Sequence, residues 1–270
     1  LNSGSTLTDL ILKCLSPIWK DKTETATRVR GRIESILDWA TAKKHRKGDN
    51  PARWQGLLEN LLAKPNKLAN VKHHPALPYQ QASKFMAALR AREGIAARAV
   101  EFAILTAVRS GEVRGATWAE IDLDAAMWVI PAERMKMEKE HRVPLSTAAL
   151  ALLKDMPRMG QLVFPGTKKD ASLSDMSLTA VLRRMNEGSE SKLWVDEQGF
   201  GITVHGFRST FRDWAAEISP YLPEVAEMAL AHAVGDKVEA AYRRGDLFPK
   251  RREMMEDWAK YCTKSATASA

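Results

Sequence analysis

Residues 63–78, AKPNKLANVKHHPALP, hold three prolines and no sustained apolar periodicity. A long helix or strand is not carried through such a stretch, so it reads as a linker and the chain divides there. At 270 residues there is material for two modest domains. The expected division is a first part over residues 1–75, linker included, and a second over residues 76–270. The two differ in charge. Up to residue 75 there are 14 Lys and Arg against 7 Asp and Glu, whereas the rest of the chain is close to balanced within a total of +8. A positive excess concentrated in one segment points to a polyanionic partner, because neutralising phosphates releases counterions. Solubility is the plainer reading of the same excess, and nucleic acid is the reading favoured.

The periodicity of the first part is helical. From Thr23 to Ala42 the apolar positions Ala26, Val29, Ile33, Ile36, Leu37 and Ala40 recur at helical spacing, with Asp21 or Thr23 as the expected cap. A leading helix runs from about Leu7 to Trp19, and Asn50-Pro51 reads as a cap and first-turn pair opening a short helix through Leu62. In the second part, helical patterns cover residues 79–92 and 95–107. MWVIP (127–131) and HRVPL (141–145) then read as strands, with QLVFP (161–165) as a candidate third. The remainder is helical again and ends in LFPKRREMMEDWAKYCTK, where Met254, Trp258 and Tyr261 share one stripe. The expected class is mainly α with a small antiparallel β-sheet. Cys14 and Cys262 share no motif and read as free thiols of a reducing compartment. With no apolar run of membrane-spanning length and no basic and apolar leader at the amino end, the expectation is a cytoplasmic protein with no membrane partner.

Four separated segments carry unusual residues. ILTAVRSGEVRGATW places Arg109 directly after an apolar helix, where a surface charge or a partner for Glu112 is the bland reading. WVIPAERMKMEKEHRVPLS sets Lys136 and Lys139 in the connection between two strands, usually an exposed turn without a task. HGFRSTFRDWA supplies His205 and Arg208 on one helical face, with Phe207, Phe211 and Trp214 packing behind. A metal site needs a second His or a carboxylate at the proper step, and a serine hydrolase needs a Gly-x-Ser-x-Gly elbow around Ser209; neither is present. The adjacent His73 and His74 have no further ligands beside them. AHAVGDKVEAAYRRGD sets His232 at a helix end and Tyr242 ten residues later, where a packed ring with a wet hydroxyl is the ordinary outcome.

Singly, each bland reading wins. In order, Arg, Lys in a strand turn, His-x-x-Arg, His and Tyr resemble the tyrosine recombinase (phage integrase) family. TETATRVRGRIESILDWA, NPARW, EVRGATWAEID and IPAERMK are similar to its prophage integrase branch in particular. The resemblance covers nearly the whole chain. It departs at Ala107, where many relatives have Gly, a small-for-small exchange. Integrases of this branch also begin with a domain that binds arm-type DNA sites, and the resemblance leads us to expect that domain to be lacking ahead of Leu1.

What the resemblance implies is a site-specific recombinase that cleaves and rejoins DNA through a 3′-phosphotyrosine, integrating or excising a mobile element. Arg109 and Arg208 would hold the non-bridging oxygens of the phosphodiester, since forked donors match them and charge grows there as phosphorus becomes pentavalent. His232 would add a hydrogen bond to the same oxygens. Tyr242 would be the nucleophile; with an unperturbed pKa near 10, roughly one such phenol in a thousand is ionised at neutral pH, so a base must take its proton or the arginine field must lower that pKa, and His205 is assigned as the acceptor. Lys136 would protonate the departing 5′ oxygen, and Glu112 would orient Arg109 or support the turn, without direct chemistry. Cationic side chains do the electrostatic work and the phosphotyrosine conserves the bond energy, so neither a metal nor another cofactor is expected. The basic first part corresponds to the family's core-binding domain, with Arg28, Arg30, Arg32, Lys43, Lys44 and Arg46 as candidate DNA contacts. Expected partners are double-stranded DNA at core-type attachment sites, three further copies in a tetramer on DNA, and an accessory DNA-bending protein, all at the bacterial nucleoid. The competing readings are a type IB topoisomerase, with the same site but no strand exchange, and a catalytically inactive DNA-binding regulator.

Overall fold

The structure, a computed structural model, describes residues 6–68, 74–168, 170–187, 193–232 and 245–264. It comprises two compact units, Leu1–Lys72 and His73–Ala270.

The first unit is built on two helices, α1 (Leu7–Trp19) and α2 (Thr23–Ala42). Thr6 and Asp9 close a capping box at the start of α1: the Asp9 amide donates to Thr6 Oγ1 at 3.2 Å and the Thr6 amide to Asp9 Oδ2 at 2.8 Å. Ile11, Leu15 and Trp19 meet Ala26, Ala52 and Leu58 in a small core, with Val29, Ile33 and Leu37 packed against it. Ile36, one of the apolar positions of the α2 pattern, is instead 63% exposed. The expected caps of α2 also differ. Lys22 is the N-cap with no side-chain bond, and the Thr23 hydroxyl donates to the Trp19 carbonyl at 2.9 Å, closing the turn between the helices. No helix follows Asn50-Pro51 beyond one 3-10 turn at Leu58–Asn60. Asn50 is buried and ties the loop to α2, its amide donating to Glu34 O and Asp38 Oδ1 while Oδ1 accepts from the Ala52 amide. Those bonds satisfy the backbone in a loop, so a helix is not needed there. A four-residue helix, α3 (Pro65–Leu68), lies within the linker stretch.

In the second unit α5 (Ile95–Thr106) is the centre. Residues 99–106 are all buried, as a helix apolar on every side must be. Around it pack α4 (Ala82–Arg90), α6 (Ser110–Arg114), α7 (Thr147–Asp155), α8 (Asp175–Met185), α9 (Gly206–Glu217) and α11 (Phe248–Thr263), with α10 (Pro223–Ala229) against α9 and α11. Glu101 is the one carboxylate inside α5, and it receives Arg90 Nε at 2.6 Å and Arg98 Nη1 at 2.7 Å. Paired in this way a buried charge is tolerable, and Arg98 also satisfies the carbonyls that end α4.

A three-stranded antiparallel sheet of order β1-β2-β3 covers one side: β1 (Ile121–Asp122), β2 (Met127–Ile130) and β3 (His141–Pro144). The patterns at 127–131 and 141–145 correspond to β2 and β3. The third strand is not 161–165, whose residues make only isolated bridges, Thr117 with Leu162 and Pro165 with Ser172. It is the pair of residues just before the β2 turn, a segment too short to register as a pattern. Opposite pairs Trp128–Val143 and Ile130–His141 share the core face. The last helix packs on its own chain: Met254 and Trp258 are fully buried, Trp258 Nε1 donates to Ile104 O at 2.8 Å, and Trp258 stacks on Tyr261. Among the described residues no helix is long and apolar enough to cross a membrane.

Candidate active site

Arg109 reaches its place because α5 stops abruptly. Ala107 adopts a left-handed conformation, φ 54° and ψ 20°, and the chain turns so that Arg109 becomes the N-cap of α6. Glu112, buried one turn later, accepts from the Arg109 amide at 2.8 Å and from Arg109 Nη1 at 2.9 Å. Its orienting part is therefore direct. Arg134 in turn donates to the Glu112 carbonyl and to Glu120, so the start of the β2–β3 connection is fastened to the same turn.

The left-handed alanine explains why glycine suits this position. An L-residue there costs about 1–2 kcal/mol, but Ala107 also buries its methyl group, worth about 0.8 kcal/mol. A second alanine, Ala231 (φ 50°), precedes His232 and is only partly buried. We expect Ala231→Gly to raise stability by roughly 0.5–1 kcal/mol and Ala107→Gly to change it by less than about 0.5 kcal/mol. Urea denaturation midpoints test both. A clear loss for Ala231→Gly would mean that this backbone is not strained.

Arg208 lies in the first turn of α9, 5% exposed, and its guanidinium joins three segments. Nη1 donates to Ala107 O at 2.6 Å, Nη2 to Leu230 O at 2.6 Å, and Nη2 lies 3.0 Å from His232 Nε2. Burial, then repulsion from Arg109, draws its pKa down to about 10, against the pull of Glu112 and Glu227. Arg208 remains cationic at neutral pH, held near Arg109 against their repulsion by carboxylates and carbonyls. An anion between the two arginines would relieve that repulsion. α9 can sit so near the preceding chain because its first residue is Gly206: a Cβ there would come within 2.0 Å of the Pro75 carbonyl. Thr203 and Thr210 fix the same strand of chain through Pro75 O and Leu77 O.

His205 is the N-cap of α9 rather than a member of its face, with its ring 4.4 Å from that of His74. Loss of solvent around the ring, then His74, Arg208, Arg109 and His232, push its pKa down to about 4. It is neutral at pH 7 and so able to accept a proton. Arrival of an anion at the arginines would strengthen it as a base. His232 lies just beyond α10, and Glu227 Oε2 is 2.7 Å from its Nδ1. Glu227 Oε1 accepts from Arg212 Nε at 2.6 Å. Burial works against the charge on Glu227, but the bonds from Arg212 and His232 prevail and hold it below the usual carboxylate range.

Arg109, Arg208, His205 and His232 thus share one site. Lys136 and Lys139 are exposed in the β2–β3 connection with no partner for either ammonium among the described residues. Met135, immediately before Lys136, is buried and anchors that end of the turn. Tyr242 lies outside the described residues, as do Arg243, Arg244 and His73. Two other tyrosines are poor nucleophiles where they stand. Tyr221 donates to Asp257 Oδ2 at 2.7 Å, and burial with that bond pushes its pKa well up; burial and Tyr79 raise that of Tyr261.

Two residues of this neighbourhood escaped the sequence reading. Glu227 carries no signal beyond its place five residues before His232. His141 opens β3 on the core side, and burial, then Arg251, push its pKa down to about 4, Arg208 and Arg109 acting in the same sense. Its Nε2 is buried without a hydrogen-bond partner among the described residues. The signal was a histidine at an inward position of a strand. Among the described residues no group of three His, Cys, Asp or Glu could hold a metal ion.

In the first unit, Arg28 and Arg32 lie on α2, Arg28 paired with Glu24 in solvent, and Lys43 and Lys44 are exposed at its end. Arg30 is engaged internally, with Glu34 at 2.7 Å, Ala52 O at 2.9 Å and the Trp54 ring. Arg46 fastens its own loop through Thr41, Gly48 O and Asp49 O.

Residues 6–57 match the phage integrase central domain and residues 76–246 the phage integrase family. The chain is 31% identical to the integrase of Enterobacteria phage P4 and 32% identical to prophage integrase IntA of Escherichia coli K12. Each match covers 92% of the chain, which spans 58% and 57% of those two relatives. Among solved structures, the lambda integrase (75–356) dimer bound to a COC′ core site matches with a TM-score of 0.57 at 20% identity, covering 87% of this chain and 82% of that one. The Tn1549 transposon integrase in complex with circular intermediate DNA matches with a TM-score of 0.55 at 13% identity, covering 89% and 86%.

Proposed function

The chain belongs to the phage integrase family, and from that premise we propose that it is a tyrosine site-specific recombinase that integrates or excises a mobile element. The observation that carries this reading is the grouping of Arg109, Arg208, His205 and His232, with its positive charge held in place by Glu112 and Glu227. Such a site is built for an anion whose charge increases during reaction.

In the proposed step Tyr242 Oη attacks the scissile phosphorus, forming the 3′-phosphotyrosine as the bond to the 5′ oxygen breaks. The phenolic proton passes to His205, neutral beforehand, and Lys136 gives a proton to the departing oxygen. Arg109 and Arg208 stabilise the pentavalent phosphorane, and once the phosphate is bound their donors need no further reorganisation during the step, which lowers the barrier. Rejoining is the same path reversed, with the 5′ hydroxyl of another strand as nucleophile. The raised pKa values of Tyr221 and Tyr261 count against those two as the nucleophile.

The first unit, with the linker to residue 75, would be the core-binding domain, and residues 76–270 the catalytic one. Arg28, Arg32, Lys43 and Lys44 have the exposure that phosphate contact requires, and Trp39 is exposed on the same helix as the two arginines. Arg30 and Arg46 would act through the folding of this unit. The partners in this reading are duplex DNA at core-type sites, three further copies in a tetramer and an accessory DNA-bending protein, in the cytoplasm at the nucleoid.

The test is a nicked duplex spanning the joined ends of the element that encodes the chain, on which cleavage releases a short strand and traps the enzyme. The expected result is a covalent protein–DNA adduct that maps by peptide analysis to Tyr242 and is absent from Tyr242→Phe, which still binds. Binding with no adduct would favour the regulator reading, and an adduct at Tyr221 or Tyr261 would overturn the assignment of the nucleophile.

A further inference from the structure

His232 is held between two groups of opposite charge, and together they fix where its proton lies. A guanidinium nitrogen can only donate, so Nε2, 3.0 Å from Arg208 Nη2, must be the acceptor in that contact. The ring proton is then on Nδ1, directed at Glu227 Oε2 at 2.7 Å. In this state Nε2 has no hydrogen to offer a phosphate oxygen. Moving the single proton to Nε2 would set the Nδ1 lone pair against the Glu227 carboxylate. Only a second proton lets both nitrogens donate, one to Glu227 and one to the phosphate.

We infer that Glu227 is a positioning residue that keeps His232 an imidazolium in the DNA complex, so that engagement of the scissile phosphate is coupled to uptake of one proton at Nε2. This rests on the recombinase reading above. As the phosphate arrives, Arg208 Nη2 turns from Nε2 to the phosphate oxygen, and the released nitrogen takes a proton from solvent. The groups facing the ring explain why uptake waits for DNA. Arg208 Nη2 occupies the Nε2 lone pair and its charge opposes a second ring proton, while Glu227 at Nδ1 favours one; Arg212 and Arg109 are each paired with a carboxylate, Glu227 and Glu112, and His205 and His141 are neutral at pH 7. The phosphate reverses that balance. Arg212 contributes by holding the other Glu227 oxygen, which keeps the carboxylate ionised and aimed. The arrangement is that of a carboxylate–histidine pair in which the carboxylate sets tautomer and orientation and stabilises the imidazolium.

The sign follows from the charge. Activity that needs the imidazolium is present at low pH and lost as pH rises, and removing the carboxylate brings that loss to lower pH. Glu227→Gln keeps an acceptor for Nδ1 but not the charge. On the nicked duplex we expect its adduct formation to be roughly tenfold slower than wild type at about pH 8, with the gap closing to within about twofold near pH 6. Glu227→Asp, which restores the charge, should recover most of the rate at about pH 8. Ring-nitrogen NMR of His232 in Tyr242→Phe protein bound to the same duplex reads protonation directly. Both nitrogens should carry a proton when Glu227 is intact, and only one when Glu227→Gln is added. A Glu227→Gln rate lowered by one factor at every pH, or not lowered at all, would overturn the inference. If wild type forms no adduct at any pH, the recombinase reading itself falls.

Discussion

Arg208→Ala is expected to slow covalent adduct formation by about a hundredfold to a thousandfold, the loss of one preorganised transition-state donor costing about 2.7–4 kcal/mol. The same change should destabilise the fold, because the carbonyls of Ala107 and Leu230 lose their donor inside the protein. Each unsatisfied group costs about 1–3 kcal/mol, so roughly 2–6 kcal/mol is at stake. Rates must therefore be compared at temperatures where the variant is folded, as followed by circular dichroism. Arg208→Lys separates the two effects. An ammonium keeps the charge and can reach one of the carbonyls, so part of the stability should return. It cannot serve both carbonyls and fork onto two phosphate oxygens, so the rate should stay at least about a hundredfold down. A lysine variant cleaving within a few fold of wild type would mean that net charge, not the placement of the fork, is what Arg208 supplies.

That one side chain joins α9, the residue after α5 and the end of α10 shows which parts of the site a sequence can carry. The helices around it were legible because their partners are local. α1 and α2 fall where apolar spacing put them, and the Met254–Trp258–Tyr261 stripe faces the core. The four residues that the structure brings together, Arg109, His205, Arg208 and His232, stood out in the sequence only as members of an ordered set of types. The supports were not. Ala107 is held left-handed against its preference by what surrounds it, and propensity says nothing about that. Asn50 replaces a helix with three side-chain bonds, two of them to residues on α2 more than ten positions away. Glu227 becomes meaningful only once α10 and α9 are side by side, since the carboxylate acts through Arg212 and His232 together. Among the six candidate DNA contacts of the first unit, charge could not separate Arg30, packed on Trp54 and Ala52, from Arg32 in solvent.

The assignment of the proton donor turns on two lysines in one exposed connection. Lys136 follows Met135, which is buried, and Arg134, which is tied to Glu112 and Glu120, so its backbone begins from a fixed point beside the Arg109 turn. Lys139 is three residues further out in a run of exposed positions. The shorter tether favours Lys136. A general acid matters only if the leaving group needs a proton. An alkoxide is strongly basic, whereas a thiolate, with a conjugate pKa near 8.5 for a cysteine-like thiol, departs largely unaided. Lys136→Ala should thus be slowed by about a hundredfold or more on ordinary DNA, general acid catalysis being worth roughly 10²–10⁴. It should be largely rescued by a substrate with sulfur at the 5′ bridging position. Arg109→Ala and Arg208→Ala should show little rescue, because they act on the non-bridging oxygens, whose charge grows whichever atom departs. Cleavage rates of each variant on the two substrates decide the matter. Rescue of Lys139→Ala with a wild-type rate for Lys136→Ala would move the role along the turn, and rescue of neither would place the donor outside it.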